Sequence, residues 1–175
     1  MSTPSVYIAC LASYNHGILH GGWVSLDGSE DLAEFIKETL EASSIDEASE
    51  WAIHDHEYCG NISQYEGLSN LKALSEAYQK CETSHINWEA FIAYCEHRGV
   101  NLTPDQVEKY EEAFAGQNSS LETWCEDYLE ETGQIDELPE GLRAYFNIEA
   151  YARDLEINDV FTIKHQGEVL VFWMH

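Results

Sequence analysis

Residues 54–59 combine histidine, carboxylate and cysteine side chains, the groups that most often bind metal ions in proteins. His54 and His56 would share one face of a strand, because successive side chains of a strand point to opposite faces. A zinc site needs further ligands at a regular spacing such as C-x-x-C, and the sequence contains no such element. A second, looser set has no regular spacing either: Cys81, His85, Cys95 and His97. We therefore expect no metal site.

Other patterns associated with ion binding or catalysis are incomplete. Asp27, Ser29 and Asp31 have the spacing of the first ligands of a calcium loop, but Leu32 stands where such a loop needs glycine. No H-E-x-x-H, G-x-S-x-G, P-loop or G-x-G-x-x-G motif occurs. Pairs of carboxylates occur everywhere, so a glycosidase pair has no distinguishing signal, and an acidic hydrolase ranks last among the hypotheses. We predict that the chain is not an enzyme and uses no cofactor.

Periodic apolar positions and turn residues predict an α+β fold in three small domains. Residues 1–62 are predicted to form an N-terminal sheet plus one helix. Residues 63–103 form a helical middle domain, and residues 104–175 form C-terminal helices followed by a β-hairpin.

The N-terminal domain is predicted to place three strands around its helix. Apolar runs at residues 6–12, 23–26 and 51–54 indicate the strands. Asp27 is followed three residues later by Glu30, a variant of the capping box, which predicts that the helix begins there.

Capping residues mark the ends of the later helices. Residues typical of helix starts occur at four places: Thr103-Pro104, Ser119 with Glu122, Pro139 and Asn147. Gly99 and Gly133 are predicted to end two helices. Residues 160–164 and 168–174 are predicted to pair as a hairpin around Gln166-Gly167.

The sign of the charge is the most unusual property of the composition. The 175 residues include 33 Asp and Glu but only 8 Lys and Arg, so the net charge is −25. Hydrophobic residues at 44% and aromatic residues at 12% nevertheless predict a folded protein. A surface of this charge repels nucleic acid and anionic membranes, because phosphate binding requires Lys and Arg. We expect neither as a partner, and expect a basic protein instead, including one that itself binds nucleic acid.

Nothing in the sequence indicates export. No apolar run approaches the ~18 residues of a membrane span. Residues 1–5 lack the positive charge of a secretory signal. Five cysteines, an odd number, do not resemble a disulfide framework. We expect a soluble, reduced, cytoplasmic protein.

The carboxylates follow predicted helix faces. Glu122, Glu126 and Glu130 lie at positions i, i+4 and i+8, so one face presents like charges about 6 Å apart, which destabilises a helix. We call the set of such positions the acidic surface. It comprises Glu30, Glu34, Glu38, Glu41, Asp105, Glu108, Glu112, Glu122, Glu126, Asp127, Glu130 and Glu131.

Two interpretations of the acidic surface are open on charge alone. It is either a solvated face that keeps the protein soluble, including at high salt, or an imitation of DNA. Duplex DNA carries one charge per roughly 1.7 Å of axis, so the net charge corresponds to about 42 Å of duplex. That length is the scale of the site that a large DNA-binding enzyme grips.

Four blocks of sequence together resemble the ArdA antirestriction family. V-Y-I-A-C-L-A-S-Y-N at residues 6–15, with the glycines of residues 17–22 and Trp23 after it, is similar to the opening of that family. E-W-A-I-H-D at residues 50–55 resembles the second block. L-P-E through A-Y-F-N at residues 138–147 resembles the family's short antirestriction motif, and E-A-Y-A-R-D-L at residues 149–155 continues the match. The blocks span nearly the whole chain.

The resemblance implies an elongated three-domain monomer that pairs into a bow-shaped homodimer with a surface imitating bent B-form DNA. It also implies inhibition of Type I restriction–modification enzymes, with their methyltransferase core and specificity subunit as the partner, to protect an incoming plasmid or transposon. The alternative is an acidic interaction module that binds a basic partner unrelated to restriction.

The segment that resembles the antirestriction motif is more apolar than a charged surface requires. Its residues are Asp136, Glu137, Leu138, Pro139, Glu140, Leu142, Tyr145, Phe146 and Asn147. We predict that this motif packs the core of the last domain or forms the dimer contact, with its three acidic side chains in solvent. In a two-fold dimer the same patch meets itself, so an apolar patch associates there and an acidic one repels.

Overall fold

The computed structural model of the protein describes residues 2–46 and 48–174. The strands are β1 (Ser5–Cys10), β2 (Gly21–Ser25), β3 (Trp51–Glu57), β4 (Phe114–Asn118), β5 (Val160–His165) and β6 (Glu168–Trp173). The helices are α1 (Leu11–Asn15), α2 (Leu32–Glu41), α3 (Leu68–Thr83), α4 (Trp88–Arg98), α5 (Pro104–Ala113), α6 (Leu121–Glu131), α7 (Glu140–Arg143) and α8 (Ile148–Asn158). A 3₁₀ turn, Gln134–Glu137, follows α6.

The chain divides into two compact units, Met1–Lys109 and Tyr110–His175. Each unit combines helices with a three-stranded antiparallel sheet. The predicted α+β class is therefore confirmed. The division into three domains stays a prediction.

The first sheet has the strand order β2-β1-β3. Val6 pairs with Val24, and both side chains are buried, as are Leu32 and Ile36 of α2, which packs on this sheet. The predicted strand over residues 6–12 is too long, because the chain turns into α1 after Cys10. A short apolar run fits a strand and a buried helical turn equally well, which explains the error.

The start of α2 differs from the prediction. Asp31, not Asp27, caps this helix: its carboxylate accepts from the backbone N–H groups of Ala33 (2.9 Å) and Glu34 (3.2 Å). Asp27 accepts instead from the backbone N–H of Ser29 at 2.9 Å, in a turn before the helix. The helix therefore begins one turn later than predicted, and Glu30 precedes it.

The predicted pair of middle helices is confirmed as α3 and α4. Tyr78 meets the buried Trp88 edge to face at 5.3 Å between ring centroids. The indole N–H of Trp88 donates to the backbone oxygen of Tyr58 at 2.8 Å, which ties α4 to the segment after β3. Gly99 ends α4 in the left-handed conformation with φ 64°, as predicted.

The second sheet has the order β4-β6-β5. The hairpin of β5 and β6 is confirmed, with Val160 opposite Trp173. Strand β4, which begins at Phe114 directly after α5, was not predicted. The predicted cap Ser119 is also wrong, because the hydroxyl of Ser120 accepts from the N–H of Thr123 at 3.2 Å and begins α6.

No helix in the described ranges is both long and apolar enough to cross a membrane. All five cysteines lie within those ranges and are buried thiols.

Candidate functional surface

Helix α6 is anchored by an aromatic and aliphatic inner face. Trp124 and Cys125 are buried against Ala152 of α8 and Val171 of β6. The Trp124 ring stacks on Tyr128 at 5.0 Å between centroids, with 13° between the planes. This packing fixes which side of α6 faces solvent.

The outer face of α6 is acidic. Its exposed carboxylates are Glu122, Glu126, Asp127, Glu130 and Glu131. The predicted i, i+4, i+8 stripe is therefore present on a single, well-packed helix. The last turn contains no basic residue, so Glu130 and Glu131 lie where the helix dipole disfavours negative charge.

Two of these carboxylates have defined surroundings. The backbone N–H of Glu122 itself and the hydroxyl of Ser120 lower the pKa of the Glu122 carboxyl, because both stabilise the ionised form at the start of the helix. Asp127 accepts from Nδ2 of Asn118 at 2.7 Å. Both contacts come from uncharged groups, so they orient the two side chains without placing a positive charge beside them.

Helix α5 carries a second set of carboxylates. Asp105, Glu108 and Glu112 are all exposed. Lys80 of α3 forms an ion pair with Glu108, and its hydrogen bond and charge lower the pKa of the Glu108 carboxyl. Glu108 is thus the member of this set whose charge is locally balanced.

The third set belongs to α2 and the turn before it. Glu34, Glu38 and Glu41 are exposed on α2, opposite the buried Leu32 and Ile36. Lys37 lies 3.9 Å from Glu41, with both side chains about two-thirds exposed. An ion pair so open to water contributes little to stability.

The described carboxylates of the whole chain share this exposure. Four are half-buried, namely Asp27, Glu66, Glu89 and Asp159, and the others are exposed. The structure places every residue of the acidic surface at the protein surface, on three helices and the turn before α2.

The motif is organised by one arginine. The guanidinium of Arg143 donates from Nη1 to Oδ1 of Asp136 at 2.6 Å and from Nη2 to the Asp136 backbone oxygen at 3.0 Å. Its Nε donates to the backbone oxygen of Leu138 at 3.1 Å. These three bonds join the end of α7 to the 3₁₀ turn. No local pattern predicts this role, because Arg143 and Asp136 are seven residues apart on separate short elements.

The apolar side chains of the motif do not form a core helix. Tyr145 is 83% exposed and Leu142 is 56% exposed, so the first of the two predicted roles of the motif, packing into the core of the last domain, is wrong for Tyr145, and the dimer contact stays a prediction. Phe146 is half-buried and contacts Tyr151 at 5.6 Å between centroids. The three acidic side chains of the motif are exposed, as predicted, and Asn147 caps α8 by accepting from the N–H of Ala150 at 3.0 Å.

The side chains that the sequence offered for metal binding have other contacts. His54 meets the ring of Tyr14 edge to face at 4.6 Å, and the buried Cys59 donates to the backbone oxygens of Ser5 and Glu57. The Asp27 carboxyl has a lowered pKa because it accepts from the hydroxyl and N–H of Ser29. Among the described residues, no three His, Cys, Asp or Glu side chains converge on a possible metal position.

Comparison with known families gives a match over residues 6–169, nearly the whole chain, to a family described as antirestriction protein (ArdA). The chain belongs to the ArdA antirestriction family. A comparison with curated proteins finds no match. Membership in the family supports an antirestriction function and an interaction with restriction enzymes. The family is one of inhibitors and is not a known family of enzymes.

Proposed function

We propose that the protein is a DNA-mimicking antirestriction protein. It occupies the DNA-binding groove of a Type I restriction–modification enzyme, on the methyltransferase core and specificity subunit, and blocks both restriction and modification of incoming DNA. It acts in the cytoplasm, on behalf of the plasmid or transposon that carries it, and without catalysis.

The observation that carries this proposal is the acidic face of α6. Glu126 and Glu130 repel each other, and Glu130 and Glu131 also oppose the helix dipole. A sequence selected only for folding has no reason to keep them there. The ion pairs of the first unit, Lys37 with Glu41 and Lys80 with Glu108, show that the chain uses local cations elsewhere.

The inner face of α6 supports the same conclusion. Because Trp124, Cys125 and Leu129 are buried, the outer carboxylates are held on a rigid element and need little ordering when they bind. A groove built to bind phosphates presents Lys and Arg, which meet such a surface with fast, salt-sensitive association. Inhibition by mimicry therefore depends on the whole set of carboxylates and not on any single one.

We further propose that the protein acts as a two-fold homodimer that joins through the motif. Leu142 and Tyr145 are large, exposed and close in sequence, and the Arg143 contacts hold the turn that presents them. An apolar patch of this kind associates with its own copy, whereas the acidic faces repel.

The proposal is tested by a methyltransferase competition assay. Purified protein is titrated into a Type I methyltransferase at several DNA concentrations and at two salt concentrations. We expect excess DNA to relieve the inhibition and higher salt to weaken it, since counterion release drives binding to the groove. Inhibition that is independent of DNA concentration would contradict mimicry.

An experiment in cells separates this function from the alternative of an unrelated acidic interaction module. Unmodified phage is plated on a restricting host with and without the protein, and plating efficiency is expected to rise when the protein is made. Normal restriction, together with a pull-down that contains no restriction–modification subunit, would favour the alternative.

A further inference from the structure

A cleft of about 610 Å³ opens in the first unit, outside the acidic surface and the motif. The segment after β3, one side of α3 and the end of α4 line it. Small-molecule sites typically have volumes of roughly 300–1,000 Å³, so the cleft has the size of a ligand site.

The floor of the cleft is apolar and neutral. Leu71, Leu74 and Leu102 are buried there. Cys59 and Cys95 add two buried thiols, and burial raises the pKa of each to about 12. Both thiols are therefore uncharged at neutral pH, and the floor suits an aliphatic chain.

The rim of the cleft carries acceptors and negative charge. Glu66 is held in place, because its carboxylate accepts from Nδ2 of Asn70 and from the backbone N–H of Ser63 at 3.2 Å. Glu96 is exposed at the end of α4, and its Oε1 lies 3.8 Å from the position that a Cβ on Gly60 would take. Both carboxylates line the cleft.

The charged side chains that line the cleft are all negative. The lining contains these two carboxylates, the side-chain amides of three asparagines and no lysine or arginine. The net charge of −25 adds a field that excludes anions and concentrates cations. The asparagines, whose oxygens accept hydrogen bonds, are Asn61, Asn70 and Asn101.

We propose that this cleft binds a small organic cation, an amine or guanidine on an aliphatic stem. The charged end pairs with Glu66 and Glu96, since charge-assisted hydrogen bonds to carboxylates are the strong ones. The stem lies on the leucines of the floor, as the methylenes of Lys and Arg do on apolar protein surfaces. This site does not depend on the proposed antirestriction function.

The test uses n-butylguanidine, a guanidinium on a four-carbon aliphatic stem, and measures its affinity for the intact protein by calorimetry. Glu96→Gln and Glu66→Gln are each expected to weaken binding about tenfold, which corresponds to roughly 1.4 kcal/mol. Glu82→Gln removes the same charge from an exposed position of α3 outside the cleft, and is expected to change the affinity less than twofold. Guanidinium ion without a stem is expected to bind at least tenfold more weakly than n-butylguanidine.

NMR spectra recorded during the titration show where the ligand binds. The side-chain amide signals of Asn61, Asn70 and Asn101 are expected to shift, while those of Gln134 and Gln166 in the other unit stay in place. Equal losses of affinity for Glu82→Gln and Glu96→Gln, or equal signal shifts over both units, would mean that n-butylguanidine is only a counterion of the acidic protein. Either result would overturn the proposal, and thermal melts of each variant confirm that it is folded.

Discussion

Arg143 and Asp136 form an ion pair at 2.6 Å that closes the turn of the motif, with the arginine also bonded to two backbone oxygens. Both side chains are partly open to water, so the pair contributes little to the global free energy of unfolding. Its effect is local, because it holds in place a turn that has no buried residue of its own and that is followed by the exposed Leu142 and Tyr145.

Arg143→Ala is therefore expected to loosen the motif while leaving the protein folded. Hydrogen exchange of the Tyr145 amide, which donates to the Leu142 oxygen at 3.0 Å, should become faster. Global stability should change by less than about 1 kcal/mol. Arg153→Ala is the matched control, since Arg153 lies 3.9 Å from Asp154 and is 71% exposed. Equal exchange rates at Tyr145 in the two variants would contradict the role of Arg143.

Tyr145→Ala tests the dimer contact. Because Tyr145 is 83% exposed in the single chain, the loss of its ring should change the free energy of unfolding of the monomer by no more than about 0.5 kcal/mol. Sedimentation velocity should nevertheless show a shift from dimer to monomer. Phe146→Ala, which removes a half-buried ring packed on Tyr151, should instead lower stability measurably. A Tyr145→Ala protein that stays dimeric and fully inhibitory would exclude the motif as the contact.

Capping and turn residues correctly predicted those features of the fold that depend only on adjacent residues. Asn147 has no competing cap nearby, and the hairpin turn at Gln166-Gly167 lies between two clear apolar strands. Both were predicted correctly. At the starts of α2 and α6 the predicted caps, Asp27 and Ser119, were wrong. Periodicity shows which face of a helix is apolar but not the residue at which the helix begins, and Asp31 and Ser120 are the caps in the structure.

Features that depend on distant partners were not predictable. Strand β4 is short, contains Gly116 and pairs with β6 far along the chain, Gln117 lying opposite Leu170. Nothing in its own residues distinguishes it from the end of α5. The faces of the acidic helices follow from periodicity alone, but the contact of Lys80 with Glu108 joins residues on two helices and requires the tertiary structure.

That contact leads to a pH-dependent prediction. Lys80 lowers the folded-state pKa of Glu108 below its ordinary 4.5, so its stabilisation is present above that value and is lost as the pH falls through the folded-state pKa. Lys80→Met should raise the Glu108 pKa in a carbon-detected NMR titration, and should destabilise at neutral pH more than at about pH 3. Lys72→Met removes an exposed charge from the same helix and should leave the Glu108 titration unchanged. An unshifted Glu108 in Lys80→Met would contradict the ion pair.

The acidic face of α6 is expected to lower the stability of the fold and to be needed for inhibition. The triple variant of Glu126, Glu130 and Glu131 to Gln should raise the melting temperature, because it removes like-charge repulsion and an unfavourable dipole interaction. It should also weaken methyltransferase inhibition and reduce its salt dependence. A single Glu126→Gln change should have little effect.

The matched control for that triple variant removes three exposed carboxylates outside the acidic surface and the motif: Glu76, Glu82 and Glu149. If this control loses as much inhibition as the α6 variant, inhibition depends on net charge alone. The proposal that the acidic face of α6 binds the methyltransferase would then be wrong. If neither variant loses inhibition, the carboxylates do not imitate phosphates.

The last prediction concerns the support of that face from inside. Gly116 has φ 142°, and a Cβ there would lie 2.8 Å from Nε1 of Trp124, whose ring packs α6 onto the sheet. Gly116→Ala should therefore combine backbone strain with displacement of the indole, which costs roughly 1–3 kcal/mol beyond the strain itself. Gly167→Ala is the control, since Gly167 has φ 86° but no atom within 4 Å of the added Cβ, and it should cost only about 1–2 kcal/mol. Urea unfolding gives both free energies, and tryptophan fluorescence reports the indole. Equal stability losses with an unchanged spectrum would show that Trp124 is free to move, and that α6 is not held rigid by this contact.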